Sequence, residues 1–271
     1  MVQQLKAVYS RNKSINIRAY PISIILQRML NGLIAILFPT FIYYYVFKGN
    51  ISEEFIRYTG SDDYITFIVL GNCANALAVT TLIAVSRSLI EEIREGTIDA
   101  LIMSPAYRLF YFMGYYMEQF KNSLFELGIV LVVGTAIGGV INIHITAIFQ
   151  LCYGIVLISI ASFSISIIMA DIMVYTRDTY ITQNTFFILM QIICGINFPP
   201  EYLPTALQEV SRIIPLSSAI KILRMYMDNK IEIKKLLCLS IDVILLSMIY
   251  IILGIYWSKR LDKRIIEDVM S

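Results

Sequence analysis

The chain has 271 residues, of which 58% are hydrophobic and 15% are charged, and its formal net charge is +2. So many apolar side chains exceed what a soluble core can bury, which excludes an ordinary water-soluble domain and leaves lipid as the second solvent. The weak net charge, with no basic cluster interleaved with aromatic residues, argues against nucleic acid as a partner. A bilayer needs about 20 apolar residues per helix. We therefore predict an all-α membrane protein in which residues 1–271 form a single transmembrane domain with six spans.

The first twenty residues alternate apolar and basic positions and lack the apolar core and cleavage site of a secretory signal. This pattern predicts an amphipathic interfacial helix over 1–20, with a mobile tail as the alternative. The first span is predicted over about 22–47, with a kink at Pro39. A polar outer loop then leads to the second span, about 64–90, in which Ala74 and Ala78 would admit a neighbouring helix.

The third span has its apolar part at about 124–143 and contains Gly134 and Gly138 in GxxxG spacing, which is a weak signal for close helix packing. A short turn leads to the fourth span, about 147–174. The turn holds the only histidine of the chain, His144, to which we assign no chemical role.

The fifth span is short, about 185–197, and breaks at Pro199 and Pro200, because proline removes a backbone donor and disfavours helix in the residue before it. Residues 198–235 hold further prolines and several charges, which predicts short helices on the outer surface. The sixth span follows over about 236–257.

The positive-inside rule places both termini in the cytoplasm of a multi-pass protein in the cell membrane. The predicted outer segment conflicts with this rule, since it is rich in basic residues. These are Arg212, Lys221, Arg224, Lys230, Lys234 and Lys235. The sequence offers no further full-length apolar run there that would move this segment inside.

Motifs for catalysis and for cofactor binding are missing from the sequence. No glycine-lysine pair occurs, so the chain has no phosphate loop of the GxxxxGK[ST] type, and it has no HExxH or GxSxG motif. We predict no catalytic, cofactor or metal site, and we expect the four cysteines to be free, buried thiols. Several ionisable residues lie in or near apolar runs and are functional candidates by default. They are Arg28, Glu118, Lys121, Glu126, Asp171 and Asp242.

Among these residues, Glu118 and Lys121 are three apart, which favours an interfacial ion pair between them. We place Asp242 at the outer interface, with a polar contact inside the bundle as the alternative.

The segment 91–108 follows the second span and is the most informative part of the chain. Gly96 allows a sharp change of direction, Ile98 and Leu101 lie on one apolar face, and Pro105 ends the helix. A short cytoplasmic helix of this kind suits a groove on a soluble partner. A solvated linker is the alternative on pattern alone.

The motif E-x-G-T-x-D-x-L-x-x-S-P in this segment resembles the one that follows the second span in ABC type-2 permeases, the membrane subunits of drug, lipid and polysaccharide exporters. It consists of Glu95, Gly96, Thr97, Asp99, Leu101, Ser104 and Pro105. The resemblance implies that Glu95 to Arg108 dock an ATP-binding subunit, with Thr97, Asp99 and Ser104 as the main polar contacts. Asp99 departs from the family, in which many members have glutamate.

A second motif resembles the outer break after the fifth span of the same family, where the chain forms re-entrant or surface helices. It consists of Phe198, Pro199, Pro200, Tyr202 and Pro204, followed by Pro215 and Arg224. The resemblance covers nearly the whole chain. It implies a permease that pairs with a second copy or a sister permease, binds no cofactor itself, and relies on ATP and Mg²⁺ held by the partner ATPase.

The function we expect is therefore export of an amphiphilic or hydrophobic molecule, such as a drug, a peptide antibiotic or a lipid-like compound. A polysaccharide or glycolipid exporter of the same family is the alternative, since the 18 tyrosines could line a sugar path. A passive channel is the alternative of another class. A membrane-embedded enzyme would need paired catalytic groups at one depth, and the sequence places no such pair convincingly.

Overall fold

A computed structural model describes residues 2–19, 23–98, 108–139, 145–176, 180–225 and 233–270. In these parts of the chain the regular structure is helical and includes no strand, as predicted. The α-helices are, in chain order, α1 Val2–Ala19, α2 Ser23–Phe41, α3 Glu53–Thr59, α4 Tyr64–Arg94, α5 Arg108–Ile137, α6 Ile145–Thr176, α7 Tyr180–Ile193, α8 Thr205–Ile213, α9 Pro215–Arg224 and α10 Ile233–Met270. A π-helical stretch, Ile42–Val46, extends α2, and a 3₁₀ turn, Pro200–Tyr202, precedes α8.

Five of the described helices are long and apolar enough to cross a bilayer. These segments are Leu26–Val46, Tyr64–Arg94, Arg108–Ile137, Ile148–Thr176 and Ile233–Leu261. The apolar part of α7, Asn184–Ile193, is shorter than a full span. The multi-pass membrane fold is thereby confirmed, while a sixth crossing through α7 stays a prediction.

Helix α4 is the centre of the bundle, and small residues explain how its neighbours approach it. Ala74 and Ala78 are fully buried. On α5, a side chain at Gly134 would lie 2.5 Å from a methyl group of Val69 on α4, so only glycine fits at this crossing. Gly138 has a different role, because it adopts a left-handed conformation with φ 113° just after α5 ends.

The proline in α2 is compensated by a side chain from α4. Pro39 has no N–H, so the carbonyl of Ala35 loses its donor within the helix. Asn72 Nδ2 donates to this carbonyl over 3.0 Å and also to the carbonyl of Ile68. In a bilayer, where water is absent, this bond supplies the partner that the backbone would otherwise lack.

The cysteine prediction was half right. All four cysteines are free, and Cys73 and Cys194 are buried, but Cys152 and Cys238 are exposed on α6 and α10. An apolar run indicates removal from water but not burial within the protein. In a membrane span, lipid satisfies an apolar face equally well, so the sequence does not distinguish the two environments.

Candidate functional site

A buried carboxylate near the C-terminal end of α4 organises the first candidate site. The predicted topology places this end of α4 on the cytoplasmic side. Glu92 is 1% exposed. Arg11 on α1 binds it with two nitrogens, Nη1 to Oε1 at 2.7 Å and Nη2 to Oε2 at 3.2 Å. This fork geometry is the strong form of an arginine–carboxylate pair. The same Nη2 lies 3.2 Å from Glu95 Oε2, at the exposed edge of the site.

Two hydroxyl groups complete the surroundings of Glu92. The hydroxyl of Tyr111, on α5, lies 3.1 Å from Glu92 Oε1 and 3.2 Å from the Ser88 carbonyl, and it donates to one of these acceptors at a time. The hydroxyl of Thr97 donates to the Glu92 carboxylate. The Thr97 amide also donates to the Glu92 carbonyl over 2.9 Å. A buried carboxylate needs such a set of donors, since each missing one would leave charge unsatisfied.

We call this set, Arg11, Glu92, Glu95, Thr97 and Tyr111, the Glu92 cluster. It ties together α1, the end of α4 and the start of α5. Burial alone would lower the pKa of Arg11, but its hydrogen bond to Glu92 and the charge of that carboxylate together hold the pKa above its ordinary value. The arginine is therefore charged at every physiological pH.

Helix α1 is seated on α5 through a close contact. A side chain at Gly114 would lie 2.8 Å from a methyl group of Val8, so the glycine lets the two helices touch. The described residues Val2–Ala19 are helical and pack against the bundle, while the placement of this helix at the membrane interface stays a prediction. The sequence did not indicate that Arg11, Glu92 and Tyr111 form one site. Arg11 is 81 residues from Glu92, and Tyr111 is 19 residues from it.

The residues predicted to dock an ATPase fall partly within this site. Glu95 and Thr97 belong to the Glu92 cluster, and Gly96 turns the chain at φ 68° after α4. Asp99, Leu101, Ser104 and Pro105 lie outside the described residues. Arg108 begins α5 and interacts electrostatically with Asp171.

Asp171 forms a second polar contact deeper in the bundle. Its carboxylate is fully buried on α6 and accepts a hydrogen bond from Ser258 of α10, whose hydroxyl lies 2.8 Å and 2.9 Å from the two oxygens. This contact joins α10 to α6 at the same end of the molecule as Arg108.

The other ionisable candidates are placed differently from one another. Arg28 of α2 donates to Gln119 over 2.7 Å and pairs with Glu126 at 3.4 Å, both on α5. The predicted pair of Glu118 with Lys121 is wrong, because Glu118 is buried and accepts instead from Asn122 while Lys121 is exposed.

Asp242 lies on the exposed face of α10, which does not favour the alternative of a polar contact inside the bundle. Among the described residues, no three His, Cys, Asp or Glu side chains come together in a way that could hold a metal ion.

The second candidate site lies at the opposite end of α4. Arg224, the last residue of α9, donates to the carbonyls of Gly195 and Ile196 and places its guanidinium 3.7 Å from the centre of the Phe67 ring. A side chain at Gly71 would collide with the Ile196 carbonyl oxygen. We call this arrangement the Arg224 junction. It fixes the turn after α7 against α4.

The predicted outer-gate residues surround the Arg224 junction. Pro200 packs against Gly195, which has φ 76°, and Pro204 and Pro215 precede and begin α8 and α9. Tyr202 stacks edge-on against Tyr58 of α3, with 5.4 Å between the ring centres. Pro199 is buried and Phe198 half-buried. The prolines therefore break the chain into short helices here.

The comparison with known families decides the identity of the fold. A family model described as ABC-2 type transporter matches residues 3–227. The chain belongs to the ABC-2 type transporter family. No curated protein sequence matches the chain.

The family assignment makes the chain a permease, a membrane domain that is not itself catalytic, and permeases of this family work with an ATP-binding subunit. The matched residues include both candidate sites, from Arg11 of the Glu92 cluster to Arg224 of the junction.

Proposed function

We propose that the permease is the membrane subunit of an ATP-driven exporter and that the Glu92 cluster transmits the motion of a bound ATPase. In this proposal the chain crosses the membrane six times, with α7 as the fifth span and both termini in the cytoplasm. Residues Glu95 to Arg108 dock the ATP-binding subunit, and ATP and Mg²⁺ are held by that subunit alone.

The observation that supports the proposal is the connection made by Glu92. Its carboxylate joins three helices that the sequence separates, and the predicted docking segment leaves α4 only three residues later, at Glu95. A displacement of that segment would therefore pull on α1, α4 and α5 together. Packed helices joined in this way move as a rigid body and do not yield one residue at a time.

A second copy of the chain, or a sister permease, completes the transport path in this proposal. The outward faces of α2 and α10 are apolar and exposed, with Phe38 at 64% and Ile252 at 66%, and they are available to lipid and to a partner helix.

Export of an amphiphilic or hydrophobic cargo is the leading proposal. Export of a polysaccharide or glycolipid ranks behind it, and the exposed aromatic group at Tyr44 and Tyr45 suits an interface belt better than a sugar path.

The test is co-expression with a candidate ATP-binding subunit, purification in detergent, and an assay of ATP hydrolysis with and without the permease. We expect a stable complex whose hydrolysis rate depends on the permease. The double variant Asp99→Arg with Ser104→Arg should abolish this dependence while the protein still inserts. Arg212→Gln, an exposed change on α8 whose partner is the exposed Glu209, is the control. Unchanged coupling in the double variant would refute the assigned docking segment.

The channel alternative has its own measurement. Ion flux through the purified chain in liposomes, without any ATPase, would favour a passive channel and count against the transporter mechanism proposed above.

Deletion of the gene separates the two cargo classes, because accumulation of glycan precursors with unchanged drug tolerance would favour the glycan exporter.

A further inference from the structure

A pocket of about 300 Å³ lies beside the Arg224 junction, between α3, α9 and the start of α10. Its described lining carries three cationic side chains and one carboxylate. These are Lys221, Arg224, Lys235 and Glu201. The remaining described wall is largely apolar and aromatic and includes Phe67 and Leu239.

The charges of this pocket are arranged unevenly. Lys221 Nζ and Glu201 Oε1 are 3.6 Å apart, and both side chains are about 40% exposed. An ion pair of this length and exposure is weak in water. Arg224 is held by the carbonyls of Gly195 and Ile196, and its Nε is buried with no hydrogen-bond partner among the described residues. Among the described lining residues, three cationic groups face one carboxylate, that of Glu201, so this part of the lining carries net positive charge.

Burial also affects the arginine directly. It lowers the pKa of Arg224 from its ordinary value, while the charge of Glu201 acts in the opposite direction. A second anion close to this guanidinium would stabilise its charged form, since an opposite charge within a few ångströms favours ionisation. An anion in the pocket would therefore be attracted by the charged guanidinium of Arg224.

The size of the pocket limits the ligand. About 300 Å³ lies at the lower end of the volumes that hold drug-sized molecules, so the pocket suits a small head group and not a bulky cargo. Arginine and lysine together, in a pocket with a hydrophobic wall, are the groups that recognise phosphate oxygens.

We propose that this pocket binds a phosphate group, carried by the headgroup of an anionic phospholipid or by a free phosphate ester. The proposal does not depend on the ATPase, on the cargo or on the direction of transport. Glu201 acts in it as a competitor, because it holds Lys221 when the pocket is empty and must release it to the phosphate.

The test uses the purified full-length permease in phosphatidylcholine nanodiscs doped with phosphatidylglycerol. After detergent extraction, the retained lipid is quantified by mass spectrometry. A parallel arm measures binding of radiolabelled glycerol 1-phosphate and inorganic phosphate to the permease in detergent. Retention of phosphatidylglycerol alone identifies a lipid headgroup as the ligand, and binding in both arms shows that a free phosphate ester suffices.

The lysine variants and the glutamate variant should change phosphate binding in opposite directions. A pocket with a purely structural role would not show this difference. Lys221→Gln and Lys235→Gln should each weaken binding about tenfold, the scale of one charged hydrogen bond. Glu201→Gln should strengthen binding about threefold, because it frees Lys221 and removes a like charge. Lys234→Gln is the matched control, since Lys234 is exposed on the same turn of α10 and does not line the pocket.

All three pocket residues to be changed are at least partly exposed, so the variants should fold, and thermal unfolding checks this. Arg224 is left intact because it holds the turn after α7. Absence of binding in both arms overturns the proposal. So does binding that Lys235→Gln and Lys234→Gln weaken equally, or that Glu201→Gln fails to strengthen.

Discussion

Removal of Arg11 tests whether the Glu92 cluster holds α1 to the bundle. Breaking a fully buried ion pair by deleting one partner costs about 3–5 kcal/mol, because the remaining charge is stranded. Here the Arg11 side chain is 42% exposed, so water can replace part of it, and Glu92 keeps the hydroxyls of Tyr111 and Thr97. We therefore expect Arg11→Gln to weaken the attachment of α1 by about 1–2 kcal/mol.

The measurement is hydrogen–deuterium exchange of residues 2–19 in nanodiscs. A loss of 1–2 kcal/mol corresponds to a roughly five- to thirtyfold increase in the population of the detached helix, and the amides of α1 should exchange faster by about that factor. Lys13→Gln is the matched control, because it removes the same charge from an exposed position of the same helix.

A double-mutant cycle with Glu92→Gln isolates the pair. Once Glu92 is neutral, the loss of Arg11 no longer strands a charge, so the double variant should exchange little faster than Glu92→Gln alone. Equal exchange of α1 in Arg11→Gln and Lys13→Gln, or fully additive effects in the cycle, would refute the reasoning.

Three further changes test single contacts in the bundle. Asn72→Ala should destabilise the protein by about 1–3 kcal/mol because the Ala35 carbonyl loses its donor, and adding Pro39→Ala should restore part of this, since alanine returns the backbone N–H; thermal unfolding in detergent measures both. Gly71→Ala should displace the turn after α7 and raise cleavage there in limited proteolysis, whereas an unchanged pattern would show that the turn tolerates the methyl group. Arg28→Leu should lower the unfolding midpoint more than Arg28→Leu with Glu126→Gln, and the reverse order would show that the pair is not coupled.

The parts of the fold that the sequence predicted are those decided by local pattern. Apolar runs of span length, the glycine after α4 and the prolines after α7 each act on their own neighbours, so they are visible in one chain. The six-span count stays a prediction, because the apolar part of α7, Asn184–Ile193, is shorter than a full span.

The sites could not be predicted in the same way, because their partners are far apart in sequence. Glu92 was one of several carboxylates in a charged stretch, and nothing near it in sequence indicates Arg11 or Tyr111. The exposed cysteines, Cys152 and Cys238, show the related problem that an apolar run does not reveal whether protein or lipid covers it. Gly71 and Gly114 give no local signal either, because the need for glycine comes from the segments that contact them in the fold.

Helix α4 connects the two candidate sites, and its length explains how a displacement at one site could reach the other. It spans Tyr64–Arg94, which at 1.5 Å per residue is about 46 Å, long enough to cross the bilayer and emerge. Glu92 lies in its last turn and Phe67 and Gly71 in its first two, so the Glu92 cluster and the Arg224 junction are attached to one rigid element.

A shift of α4 along its axis would displace the contacts of both sites at once. At the Arg224 junction, Gly71 packs so closely against the Ile196 carbonyl that α4 cannot move there without moving the turn after α7. Coupling of this kind is reciprocal, so a phosphate bound beside the Arg224 junction should alter the hydrogen exchange of α1 at the other end. Loss of that effect in Lys235→Gln, with Lys234→Gln unaffected, would show that the junction and the Glu92 cluster respond to the same movement of α4.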